Sequence, residues 1–360
     1  MSFITLIIVI SILVFVHELG HFLVAKLSKV RVDEFSIGFP PRLWSKQVGE
    51  TLYSLNIILI GGYVKIFGEN PDEESINGED KERSFVNKNR AIQASILVAG
   101  ITMNILFAWL LLSTSFFVGV RQAVDTPGNA ESVYVSKVME NSPASRSGIK
   151  ANDLITKVGV DNLNLLKANS VLIEDTITKA GAKPIVIEYN RDGKVATTSV
   201  VAVSGIVEGR NAIGIGMMDV AIEHYGVIDS LIEGAKSTVD ITLNTFYGLF
   251  DFFGSFFALK ANLSEVSGPV GIASYLNQAR TFGLATLLSF VAMISINLAV
   301  INLMPFPALD GGRLLFVLIE AIIRRPINPK IANALNIAGF AILLLLMVVV
   351  TFSDIAKLLF

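Results

Sequence analysis

Apolar residues in this chain fall into four long runs separated by stretches of mixed polarity. Residues 2–25, 92–120, 285–304 and 331–352 can each cross about 30 Å of hydrocarbon as helices rising about 1.5 Å per residue. The first run resembles a signal peptide. Two histidines and a glutamate interrupt it, however, and no small-residue cleavage site follows, so it reads as a retained span over 1–26. Four crossings place both termini on one side. Lys26, Lys29 and Arg31 follow the first span, Lys88 and Arg90 precede the second, and Arg313, Arg324, Arg325 and Lys330 lie between the third and fourth. Positive flanks stay in the cytoplasm, which puts the termini and residues 121–284 outside it.

The segments between the spans follow other patterns. Within a cytoplasmic loop at 27–91, Thr51–Phe67 (TLYSLNIILIGGYVKIF) has strand composition around a Gly-Gly turn, and each arm is too short for a helical span. It is expected to dip toward the first span as a re-entrant β-hairpin at about 51–67. Residues 125–205 read as a small α+β domain with strands at 133–138, 153–158, 185–189 and 195–203. A one-turn helix opens at Ser142-Pro143 and stops at Gly148, and an amphipathic helix at about 166–180 ends at Gly181. The turn Asn190-Arg191-Asp192-Gly193 joins the last two strands. Residues 206–284, rich in Phe and Gly and carrying Asp240, Asp251 and Lys260, are expected as amphipathic helices on the outer membrane surface.

Apolar residues make up 52% of the chain and charged residues 17%, which is outside the balance of soluble domains. The formal net charge of −2 offers no basic field, so nucleic acid is excluded as a partner. Cysteine is absent, so any metal must rest on His and carboxylate. Histidine occurs only at positions 17, 21 and 224, and two of the three share the first span.

His17-Glu18-Leu19-Gly20-His21 is an H-E-x-x-H motif on an expected helix. Residues four apart lie about 40° apart around the axis, so both imidazoles can grip one ion, and the spacing fits zinc. Glu18, beside a zinc-bound water, can act as general base and later pass the proton to the leaving amine. Ionisable residues inside a span cost about 2.5–3.5 kcal/mol each at its centre, and they mark functional sites.

A catalytic zinc takes three protein ligands and a water. The best third donor is Asp310, in the run Asn302–Gly312 (NLMPFPALDGG) at the cytoplasmic end of the third span, 285–312. Its prolines open the helical backbone and its glycines allow close approach. Asn302 has two readings: it polarises the scissile carbonyl or positions the substrate backbone, or it makes a plain interhelical hydrogen bond. Asn104 and Asn297 read as packing polars.

At these motifs the chain resembles the bacterial site-2 protease family of intramembrane metalloproteases, the regulator of sigma-E protease type with a single PDZ domain. HELGHF at 17–22 and NLMPFPALDGG at 302–312 match its zinc motifs, and GGYVKIFG at 61–68 and SGPVGI at 267–272 match further stretches. Ala99-Gly100-Ile101…Asn104 departs from the family's Ala-Gly-Pro…Asn. The resemblance implies His17, His21 and Asp310 as Zn2+ ligands and Glu18 as base. It also implies a hairpin that holds substrate as an added strand, with Gly61, Gly62, Tyr63 and Val64 in contact. The run NSPASRSGIKANDLITKVG resembles the permuted PDZ domains of envelope proteases. Such domains bind peptide C-termini between a strand and a helix, here expected at 132–138 and 166–180.

The expected molecule is a polytopic α-helical membrane protein of about four transmembrane helices, with an inserted α+β PDZ-like domain and a membrane-associated β-hairpin. It would sit in the bacterial cytoplasmic (inner) membrane with the insert in the periplasm. Its expected work is zinc-dependent cleavage of pre-trimmed single-span membrane proteins, of anti-sigma-factor or remnant-signal-peptide type. A membrane-anchored quality-control metallopeptidase and a silent PDZ scaffold are the alternatives.

Overall fold

The computed structural model describes residues 2–124, 130, 132–160, 164–191, 193–207, 209–258 and 267–359. Asp192 and Lys260 lie outside the described residues. Two compact units are present: 1–114, 229–279 and 287–360 form one, and 115–228 with 280–286 the other.

The first unit begins with α1 (Ser2–Leu27), an uninterrupted apolar helix. Next come β1 (Val32–Val48) and β2 (Thr51–Ile66), then the short helix α2 (Glu73–Asn77). Helix α3 (Arg90–Val118) follows. Four helices are long and apolar enough to cross a membrane, at 3–27, 90–118, 284–303 and 329–356, close to the four expected runs.

The hairpin differs from expectation in its partner and in a second turn. β2 does reverse between 56 and 62, where Gly61 has φ +104, but its two arms do not pair with each other. Residues 52–55 and 62–65 lie on opposite edges of β1 residues 34–37, the first running in the same direction as 34–37 and the second against it. A further turn at Gly49-Glu50 pairs 51–56 with 42–48. At Gly62 a Cβ would stand 2.5 Å from the Ser36 carbonyl oxygen, so only glycine admits this strand contact. Val32–Ile37 pair with Gly62–Ile66. The hairpin lies along α1, where the Ser11 hydroxyl donates to the Leu59 carbonyl and the Val64 N–H donates to Glu18. At the turn, the Glu50 carboxylate accepts from Lys26 Nζ at 2.7 Å and from Arg83.

The second unit holds β3 (Val120–Ala123), β4 (Ser132–Val138), α4 (Pro143–Arg146), β5 (Leu154–Gly159), β6 (Leu166–Lys167) and α5 (Ser170–Ala180). It continues with β7 (Ile185–Arg191), β8 (Lys194–Val200), β9 (Val203–Val207), β10 (Arg210–Ala212) and β11 (Ile215–Glu223). The main sheet runs β3-β11-β4-β5-β7-β8, with β6 beside β5. Ile173 and Ile177 of α5 bury against Val133, Val135, Ile155, Ile185 and Ile187. Two expectations are corrected here. The unit does not stop at 205, because β11 completes the sheet and β9, β10 and β11 take up 203–207, 210–212 and 215–223, where surface helix was expected. The edges of 132–138 are largely taken, since β4 has β11 along one edge and β5 beside Val133 and Tyr134 on the other. The strand bonded to α5 is β11: Asp219 accepts from the Ser170 N–H at 2.8 Å and from its hydroxyl. Among the described residues its 215–218 pair with β4 alone, and the Asp219 carbonyl accepts from the Val124 N–H at 3.0 Å.

The chain then returns to the first unit through α6 (Val227–Phe257) and α7 (Pro269–Thr281). The remaining helices are α8 (Leu284–Leu303), α9 (Asp310–Ile323) and α10 (Pro329–Leu359). Ile241, Phe246 and Leu249 of α6 pack on Ala108, Leu112, Ala292, Ile296 and Val300, so one face of this helix is covered by α3 and α8. Thr245 of α6 reaches Asn297 across that contact, a packing role as expected for Asn297.

Candidate metal centre

His17 and His21 stand one turn apart on α1, both buried, with their Nε2 atoms 3.1 Å from each other. Asp310 Oδ2 lies 2.9 Å from His17 Nε2 and 3.2 Å from His21 Nε2. Among the described residues these three form the one His/Asp/Glu group whose donor atoms converge. Donors around a tetrahedral zinc at 2.0–2.1 Å stand about 3.3 Å apart. The observed triangle therefore fits the ion, and it supplies three ligands with a fourth position left for water or substrate. His224 belongs to the inserted unit and is not in the group.

Helix α3 shapes the centre from behind. His21 Nδ1 is 2.8 Å from the Ile96 carbonyl oxygen; donating a proton there leaves the Nε2 lone pair facing the other ligands. His17 Nδ1 faces the Asn104 amide, 3.4 Å from Nδ2. Between these two contacts lies Gly100, directly against the rings. Where α1 crosses α3, a Cβ on Gly20 would stand 2.4 Å from the Ala99 carbonyl oxygen, so the close approach of the two helices depends on glycine on both.

Asp310 owes its place to the break between α8 and α9. The helix ends at Leu303, and Pro305 and Pro307 cannot continue its hydrogen-bond ladder. The loop turns through Ala308 at φ +74, whose N–H donates to Asn336 Oδ1 at 3.2 Å. Gly311 then tucks under the end of α8, where a Cβ would lie 2.3 Å from the Leu303 and Met304 carbonyl oxygens. Asp310 thus opens α9 and turns back to the histidines.

Glu18 projects beside the triad, and its Oε2 accepts the Val64 N–H at 3.0 Å. That N–H belongs to the edge of segment 62–66 opposite the edge paired with 32–37. The structure therefore brings Val64 to Glu18, with Gly62 and Tyr63 just before it in the same strand and Gly61 at the bend. Tyr63 stacks on Phe39 with ring centroids 6.1 Å apart. Asn302 is half-buried in the last turn of α8. Sequence reasoning missed β1 as the partner of the hairpin, and it missed Asn104 as a neighbour of His17. Alternation over 34–37 (Glu-Phe-Ser-Ile) was a readable signal for β1, masked by Pro40 and Pro41. The i, i+4, i+8 spacing of Ile96, Gly100 and Asn104 was a readable signal for the contact face of α3.

Buried imidazoles in an apolar helix, a glutamate beside them and an aspartate delivered by a broken helix are the arrangement of a membrane-embedded metallopeptidase. Comparison with known proteins makes the assignment specific: the chain belongs to peptidase family M50, the site-2 proteases, whose sequence model matches residues 5–346. A Clostridium perfringens protein named provisionally as a zinc metalloprotease is 36% identical over 346 residues, covering 96% of each chain. A protein of Clostridium acetobutylicum with the same kind of name is 34% identical over 360 residues, covering 99% of this chain and 98% of the relative. The regulator of sigma-W protease RasP of Bacillus subtilis is 29% identical over 423 residues, covering 99% of this chain and 98% of its own length. The protein is a zinc metalloprotease and a multi-pass bacterial membrane protein.

Proposed function

We propose that this protease cleaves the membrane segment of single-span proteins already trimmed outside the cytoplasm. His17, His21 and Asp310 hold the zinc. When bound, zinc lowers the pKa of a coordinated water to about 7 and polarises the scissile carbonyl. Glu18 takes the proton of the attacking water and delivers it to the leaving amine. Asn302 orients the substrate backbone next to the break that presents Asp310. The observation that carries this reading is the Glu18–Val64 hydrogen bond, because it sets an open strand edge against the catalytic carboxylate. A helix hides its carbonyls in its own ladder, whereas a segment unwound onto residues 61–64 exposes them beside the base. The substrate's strand takes the Val64 N–H, which frees Glu18 for proton transfer.

Regulation of a sigma factor, named in the Bacillus subtilis relative, supports anti-sigma-factor-type substrates. Remnant signal peptides present the same chemistry of a short pre-cut span. The inserted unit binds peptide C-termini, with β11 and α5 as the groove in place of β4. The test is reconstitution of wild type and Glu18→Gln with candidate single-span proteins, with fragments mapped by mass. Cuts confined to soluble flanking segments would overturn the reading. Orientation is testable because the chain lacks cysteine. A Cys at Asn190 is expected to react with impermeant reagent from outside and a Cys at Asn77 is not; the opposite pattern inverts the topology.

A further inference from the structure

Helix α3 meets the two imidazoles with three residues spaced four apart, hence on one face. The Ile96 carbonyl takes the His21 Nδ1 proton, Gly100 makes room for both rings, and Asn104 stands opposite His17 Nδ1. Asn104 is fully buried, its backbone carbonyl accepts from Ser295 Oγ at 2.8 Å, and its side-chain Oδ1 has no hydrogen-bond partner. An orphaned amide oxygen in so dry a place is costly, and the nearest ring is that of a residue read here as a metal ligand.

A neutral imidazole carries one ring proton. If Nε2 is given to zinc, that proton sits on Nδ1, and the group opposite has to accept it. The Asn104 amide turns its NH2 toward Nδ1, which matches the other tautomer. A half-turn about the Cβ–Cγ bond exchanges Nδ2 and Oδ1 and brings the unpaired oxygen onto the Nδ1 proton. We propose that Asn104 is a positioning residue for the metal: its amide oxygen holds the Nδ1 proton of His17, as the Ile96 carbonyl holds that of His21, and so fixes ring and tautomer for ligation through Nε2. Asn297 makes the contrast, since its amide faces Thr245 in the α6 contact. The inference rests on the reading of His17 as a ligand.

The test measures zinc retention by full-length protein in detergent against a graded chelator. Asn104→Leu keeps the volume and removes the acceptor, and it is expected to weaken zinc binding about 10–100-fold. Asn104→Asp keeps an acceptor and is expected to stay within a few-fold of wild type. Ser295→Ala loses only the hydroxyl that bonds the Asn104 backbone and is expected to bind zinc as wild type does. Wild-type affinity in Asn104→Leu, or an equal loss in Asn104→Asp or Ser295→Ala, overturns the inference. His17→Ala separates the two readings. If it keeps zinc, the ligand assignment itself falls; if it loses zinc while Asn104→Leu does not, only the Asn104 role falls. Should Asn104→Leu fail to fold, 15N-labelled histidine in zinc-loaded wild type decides. His17 is expected with a hydrogen-bonded Nδ1 proton, and a proton on Nε2 or an unbonded one on Nδ1 overturns the proposal.

Discussion

Gly100 lies so close to His21 that a Cβ added to it would stand 2.4 Å from the ring's Nε2, and 2.8 Å from His17 Cε1. Helix propensity alone favours alanine over glycine by about 1 kcal/mol in a helix interior. At this position the collision decides. Gly100→Ala is expected to leave α3 helical and to lower zinc affinity at least about tenfold, as misoriented histidines do. Unchanged zinc titration of the variant would mean that the two helices can separate at no cost to the site.

Glu18→Gln removes the base and leaves all three proposed ligands in place. Turnover is expected to fall about 10²–10⁴-fold, the usual weight of a general base, with stoichiometric zinc retained. More than about a tenth of wild-type activity in a peptide-release assay would refute the role of Glu18.

Asp310→Ala leaves two imidazoles, which hold zinc weakly. Metal analysis after dialysis is expected to find the variant largely empty. Full occupancy would place the third donor elsewhere, and no other described His, Asp or Glu converges on this point.

The Glu50 carboxylate, bonded first by Arg83 and then by Lys26, is held below the ordinary glutamate value of 4.5. Its folded pKa is the lower one, so its contribution is complete above 4.5 and is lost as pH falls from there through the lowered value. The group is about a third exposed, so solvent screens the effect and it stays modest. Hydrogen exchange at the hairpin turn, corrected for intrinsic rates, is expected to accelerate below about pH 4.5 in wild type. In Glu50→Gln it is expected to be fast already at pH 6. Identical profiles for the two proteins would sink this account of the tether.

The four apolar helices and the H-E-x-x-H motif were legible because each is a local pattern, one of continuous hydrophobicity and one of four-residue spacing. The gathering of Asp310 with the histidines was legible from chemistry, since a buried ion needs a third donor and the prolines beside Asp310 open the backbone. What could not be read was pairing at a distance. The partner of Thr51–Ile66 is Val32–Val48, a strand interrupted by Pro40 and Pro41, and the closing strand of the insert is Ile215–Glu223, whose Gly216 and Asp219 blur its alternation. Edge occupancy depends on such pairings, which is why β11, the strand bonded to α5, was not legible beside it.

His17 and Asp310 stand 293 residues apart in the chain. A ribosome adding about 5–20 residues per second makes Glu18 and both imidazoles roughly 15–60 s before it makes Asp310. Throughout that interval the nascent protein carries an H-E-x-x-H helix next to other newly inserted spans without a complete metal site. On the proposed ligand set, a chain that stops short of Asp310 carries the H-E-x-x-H helix without its third donor. The helix break that delivers Asp310 therefore completes the site only after the span that carries Glu18 and the hairpin beside it have been made.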